Sequence, residues 1–173
     1  MSHDEQSERG SARPFVPPDF DVPTLFETEY FRLRPLTVAD VDKDYEALMS
    51  SIPLLNSLLG WDWPREDFTR EENLADLAAH EQQFNERVAF AYTVVAPDES
   101  SCLGCLYINP PCDQPADARV YMWVRQSAYD QGLDPILFRT VKDWIAERWP
   151  FTNVSYPGRS ESGEWLPRSG QSG

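Results

Sequence analysis

The sequence predicts an α/β domain, a mixed sheet of the α+β kind covered by helices, in the order β-α-α-β-β-β-α-β. Three observations carry this. Residues 88–96 and 102–109 are rich in Val, Tyr, Phe, Ile and Leu and flank the turn Pro97-Asp98-Glu99-Ser100, which reads as an antiparallel hairpin. Residues 119–125 alternate, with Val120, Met122 and Val124 on one face and Tyr121, Trp123 and Arg125 on the other. Apolar residues recur at helical spacing on either side of this β-rich centre.

Taken in order, Tyr30 to Pro35 is a first strand stopped by its proline. Thr37 caps a helix with Asp40 in its first turn, and Val38, Val41, Tyr45, Leu48, Met49 and Ile52 form its buried stripe until Pro53 interrupts it. Leu54 to Asp67 reads as irregular. Thr69 followed by Glu72 is a capping box, so a second helix begins there with Leu74, Leu77, Ala78 and Phe84 on its apolar face. After the hairpin and the third strand of the cluster, a helix from about Pro135 to Arg148 presents Leu137, Val141, Trp144 and Ile145. Phe151 to Tyr156 is a last short strand. The expected organisation is a loose N-terminal arm over residues 1–21, a domain over 22–156 and a flexible tail over 157–173. Trp165-Leu166 is the one stretch of that tail able to anchor it.

Composition narrows the function. With 29 Asp and Glu against 15 Lys and Arg, the net charge of -14 disfavours nucleic acid and anionic membrane surfaces. It suits a cationic small molecule or a basic protein partner. The N-terminus lacks an apolar signal region and no apolar run is long enough for a membrane span, so the expected location is cytoplasmic. Cys102 and Cys105 lie three apart in a strand, which would place them on opposite faces. With Cys112 they are expected to be reduced and structural, and no metal is expected. His80 reads as a surface residue of the second helix.

The element order, together with the run Phe31-Arg32-Leu33-Arg34-Pro35-Leu36-Thr37-Val38-Ala39-Asp40, resembles the GCN5-related N-acetyltransferases from Phe26 to about Tyr156. The resemblance implies an acyl-CoA N-acyltransferase fold and acetyl-CoA as cofactor if the protein is active. Backbone groups of Met122 and Val124 would then hold the pantetheine arm. In that family the stretch after the central strand reads V-x-P-x-x-(R/Q)-G-x-G-x-(G/A), whose glycines let a helix N-terminus approach the pyrophosphate. Here it is Val124-Arg125-Gln126-Ser127-Ala128-Tyr129-Asp130-Gln131-Gly132-Leu133-Asp134, in which only Gly132 survives among the glycines. Asp134-Pro135 reads as a helix start with Asp134 as N-cap, placing a carboxylate where phosphate would bind. Arg125, Arg139 and Lys142 could offset it if they face the site. The family's fourth helix, with its acid tyrosine, is missing. The tail or a second copy in a homodimer would have to cover the open sheet edge.

Two functions follow as expectations. One is an N-acetyltransferase passing an acyl group from acetyl-CoA to a small cationic amine. The other is a catalytically inactive binding or interaction module on the same fold that does not bind CoA. Candidate catalytic residues are Tyr121, Glu86 and Asp117, and candidate cofactor contacts are Met122, Val124, Arg125 and Gly132. The acceptor is expected near Trp61, Trp63 and Asn109, where residues 40–86 carry 12 Asp and Glu against 3 Lys and Arg.

Overall fold

The structure, a computed structural model, describes residues 13–60, 63–113 and 115–167. Six strands lie side by side in chain order: β1 (Phe26–Glu27), β2 (Arg32–Pro35), β3 (Phe90–Val95), β4 (Cys102–Asn109), β5 (Ala118–Val124) and β6 (Val154–Ser155). Each pair is antiparallel except β5 and β6, which run parallel. Helices α1 (Val41–Met49), α2 (Ile52–Leu59) and α3 (Arg70–Asn85) come between β2 and β3. The short α4 (Gln126–Asp130) and α5 (Leu133–Arg148) come between β5 and β6.

Period-2 alternation divides the core into two layers. Phe90, Tyr92, Val94, Leu106, Ile108, Val120, Met122 and Val124 face α5, where Leu137, Phe138, Val141, Trp144 and Ile145 meet them. Ala91, Cys105 and Trp123 face the opposite way, against Val41, Leu48, Leu55 and Leu77 of the first three helices. β4 and β5 approach closely at Gly104, where a Cβ would stand 2.0 Å from the Trp123 carbonyl oxygen.

Local signals account for most element ends. A turn of 3-10 helix at Val38–Asp40 precedes α1, and the Asp40 carboxylate accepts the Thr37 N–H at 3.0 Å and a fork from Arg34 at 2.7 and 3.0 Å. The Thr69–Glu72 capping box opens α3. On that helix Ala78 is exposed, and the buried polar residue is Asn73, which donates to Asp44 at 2.9 Å.

Several expectations are revised. The 54–67 stretch is not wholly irregular: Pro53 sits in the first turn of α2, where its missing N–H costs nothing, and Gly60 (φ 74°) ends that helix in the left-handed region. The arm is packed from residue 13 onward. Val16 is buried, Phe15 stacks on Phe151 and Phe90, and Tyr92 donates to the Pro23 carbonyl at 2.6 Å. Cys102 and Cys105 share a face. Val94 pairs with Gly104 but Val95 with Cys102, so Leu103 is an extra residue that flips the thiol before it. The tail is also packed: residues 158–166 form a hairpin closed by the Arg159–Trp165 bridge.

Candidate functional site: a cavity and a filled groove beside the central strand

A cavity of about 500 Å³ opens between α2, α3 and the middle of the sheet. Alternation on β4 and β5 aims Tyr107, Asn109, Arg119 and Tyr121 into it, with Trp63 and Leu59 closing the helix side. Helix α3 adds Asp76 and His80, four residues apart and therefore on one face. The His80 ring lies 5.4 Å from that of Tyr107. Burial holds the His80 imidazole below its ordinary value, with the Asp76 charge opposing. His80 is therefore neutral at pH 7 and free to accept a proton. Burial also pushes the Tyr107 phenol well above its usual range, so it stays a hydroxyl. Arg119 donates to the Tyr121 hydroxyl at 3.4 Å and stands over its ring, while its Nε is buried with no hydrogen-bond partner.

The second feature lies where β5 and β6 part. Their parallel pairing covers only Ala118–Val154 and Arg119–Ser155. Beyond it, the Met122 carbonyl accepts from the Arg159 guanidinium at 3.3 Å. The same guanidinium forks onto Asp134 at 2.8 and 2.9 Å, donates to the Gly163 carbonyl at 3.0 Å, and stacks 3.9 Å from the Trp165 ring. Trp165 Nε1 also donates to Asp134 at 3.1 Å. Both Arg159 and Asp134 are buried.

The helix start therefore differs from the expectation. Gly132 (φ 87°) is the N-cap of α5, and Asp134 lies in the first turn with its carboxylate turned inward to Arg159 and Trp165. A buried carboxylate needs a partner, and the guanidinium supplies a two-point one that backbone amides do not. Arg125 is committed elsewhere, forked onto Glu46 at 2.7 Å through both terminal nitrogens. Arg139 is exposed, and Lys142 reaches the Glu161 carbonyl of the hairpin.

Of the other candidates, Tyr121, Asn109, Trp63 and Met122 line the cavity together, and Val124 belongs to the core facing α5. Trp61 lies outside the described residues. Glu86 ends α3 and accepts from Gln82, and Asp117 accepts the Thr152 and Asn153 amides; neither lines the cavity. Those amides hold the Asp117 carboxyl below its usual range, as a staple between the chain before β5 and the chain before β6. The acidic wall expected of residues 40–86 is largely engaged in structure: Asp40 with Arg34, Asp42 with Arg70, Asp44 with Asn73 and Glu46 with Arg125. His80 and Arg119 were missed as site residues. The i, i+4 pair Asp76–His80 was the available signal for the first, and the period-2 step from Tyr121 for the second.

A more open hollow of about 650 Å³ lies between α1 and the end of the hairpin, but its Asp42, Glu46 and Arg125 side chains are already paired. Asp44, Cys102 and Cys105 bring three ligand-type atoms within 4.8 Å of one another. Each is satisfied as a hydrogen-bonded group, since Cys105 donates to Asp44 at 3.2 Å and Cys102 to the Gly104 carbonyl at 3.3 Å. Burial raises the Asp44 carboxyl, and the adjoining Cys102 and burial raise the Cys105 thiol, so neither favours the ionised form a metal needs. Among the described residues no helix is long and apolar enough to cross a membrane.

No family model matches the chain, and no curated protein matches it. Solved structures do. Ribosomal-protein-S5-alanine acetyltransferase from Vibrio fischeri superposes with a TM-score of 0.62 at 20% identity, over 82% of this chain and 78% of that one. The ribosomal L7/L12 alpha-N-protein acetyltransferase in complex with coenzyme A gives 0.59 at 17% identity, over 72% and 69%. Spermidine N-acetyltransferase from Vibrio cholerae, in complex with CoA and spermine, gives 0.54 at 10% identity, over 73% and 70%. The likeness spans most of each chain, and a protein described as a GnaT-family acetyltransferase from Bordetella pertussis matches in the same way. The chain has the GCN5-related N-acetyltransferase fold.

Proposed function

We propose that the protein is an N-acyltransferase whose acceptor is a small amine that also carries an anionic group. The observation behind this is the cavity itself, which sets His80 and Asp76 of α3 opposite Arg119 of β5 and backs onto Met122 of the central strand. Asp76, an exposed residue of the lining, attracts an ammonium ion, and aromatic walls such as Trp63 and Tyr107 suit the cation. His80, kept neutral by burial, takes the proton that the amine must lose before it attacks a carbonyl. Arg119 lines the cavity, and its guanidinium is a cation that a carboxylate on the acceptor would pair with. This narrows the small cationic amine expected from the sequence to one bearing both charges.

Acetyl-CoA is the donor that the fold implies, and CoA is present in two of the similar structures. The residues here do not fit it as they stand. The Met122 carbonyl is taken by Arg159, and Asp134 places a carboxylate in the first turn of α5, beside the helix end that would meet a phosphate. That observation favours a second reading, in which the cavity binds its amine without acyl transfer.

The test is a panel of free amino acids, short peptides and polyamines incubated with acetyl-CoA, followed by release of free thiol and by mass spectrometry of the products. Acetylation of carboxylate-bearing amines in preference to polyamines is expected, with His80→Gln slower by about 100-fold at unchanged fold. Thermal stabilisation by the same amines with no product would select the second reading. Neither product nor stabilisation would refute both.

A further inference from the structure

We propose that residues 157–166 are an internal occupant of the donor groove, so that this segment and an acyl-CoA compete for one place. The inference rests on the acyl-transfer reading above but comes from a different part of the molecule. Parallel strands that separate beside a helix N-terminus form a crevice in which open α/β sheets take ligands. Here β5 and β6 separate after two paired residues, and α5 begins alongside with Gly132 as its cap. The freed edge of β5 offers the Met122 carbonyl, an acceptor suited to the amide N–H of an extended ligand.

The crevice is filled by the chain itself. After Pro157, Gly158 (φ 80°) turns the backbone back, and the hairpin returns through Gly163 (φ 95°). Arg159 supplies the donor to Met122 that a ligand amide would supply, and the Trp165 ring covers the guanidinium. Asp134, in the first turn of α5, has its carboxylate held by Arg159 and Trp165 of the segment. Arg159 thus reproduces, within the chain, the contact that a ligand amide would make with Met122.

The segment is joined to the body at few points. Besides the contacts of Arg159 and Trp165, Lys142 reaches the Glu161 carbonyl, and Gly163 lies against Phe138. Of the backbone bonds, Ser160 to Glu164, Gly163 to Ser160 and Leu166 to Gly158 are internal to the hairpin, and the Arg159 N–H donates to the Tyr156 carbonyl just before it. The hairpin can therefore leave as a unit without opening the sheet.

Calorimetric titration with CoA on three full-length proteins tests the proposal. These are the native chain, Asp134→Ala with Arg159→Ala, and Gly163→Val. The double substitution removes both charges together. The third drives a side chain into Phe138, whose ring carbon would lie 2.2 Å from the new Cβ, and dislodges the hairpin while both charged residues stay in the chain. We expect both folded variants to bind CoA at least tenfold more tightly than the native chain. Native affinity equal to that of the variants would overturn the proposal, as would folded variants that bind no CoA. Should the variants not fold, native-state hydrogen exchange decides. Residues 157–166 must exchange faster than the buried face of α5, and exchange only with global unfolding would overturn the proposal. A variant that binds CoA yet acetylates no amine refutes the acyl-transfer reading and leaves this one standing.

Discussion

Asp134 and Arg159 are joined by two charge-assisted hydrogen bonds inside the protein, where the ions have lost most of their water. Such a pair offsets its own desolvation and adds little net stability, yet breaking it leaves one buried charge alone. Asp134→Ala is therefore expected to cost about 3–5 kcal/mol in urea denaturation, and Asp134→Ala with Arg159→Met clearly less. Costs that simply add would mean that the two side chains do not interact. His80 makes a second prediction at this scale. Its folded pKa lies below the ordinary value of 6.5, so the unfolded chain binds more protons as the pH falls through that value. Stability from keeping His80 neutral is thus fully present above pH 6.5 and is lost as the pH drops below it. The stability difference between the native protein and His80→Gln should shrink from pH 7.5 to pH 5, as followed by thermal unfolding at each pH. A constant difference would place His80 in an environment as wet as the unfolded chain.

Helix α3 shows what a local signal is worth. The Thr69 side chain accepts the Glu72 N–H at 3.1 Å, and Glu72 reaches back to the Thr69 N–H at 3.4 Å. Thr69→Ala is expected to cost about 1 kcal/mol, read as a lower urea midpoint at unchanged slope. Interactions of this kind span three or four residues, which is why the capping box, the 97–100 turn and the alternation on β5 could all be read from the sequence. They carried the fold and placed Tyr121 and Asn109 on the cavity wall. Features set by distant parts of the chain could not be read in this way. The flipped Cys102 depends on how β4 registers against β3, and the packed arm depends on rings such as Phe90 and Phe151 lying far away in sequence. Asp134 illustrates the limit best. Its propensity to cap a helix is real, but a partner 25 residues away claims the carboxylate, and a buried fork outweighs a cap.

At the scale of the molecule, charge is the term left over once these pairs are counted. The sequence carries 29 acidic against 15 basic residues, and Arg32, Arg34, Arg70, Arg125 and Arg159 are already bound to carboxylates. Most of the remaining acids therefore repel one another across the surface, at separations that salt screens well. Salt also weakens exposed pairs such as Arg70–Asp42, but each of those contributes little, and the Arg159–Asp134 pair is shielded by burial. Repulsion should dominate the balance. Raising sodium chloride from 20 to 300 mM is expected to stabilise the fold by about 1 kcal/mol, a rise of about 2–4 °C in Tm for a chain of this length. A fall in Tm would mean instead that the surface arginine network outweighs the excess of acid. The same screening should weaken capture of an ammonium-bearing acceptor at Asp76, an exposed residue of the cavity lining. High salt would then raise the KM for the amine while kcat holds, whereas a cavity that binds through shape alone would show no such dependence.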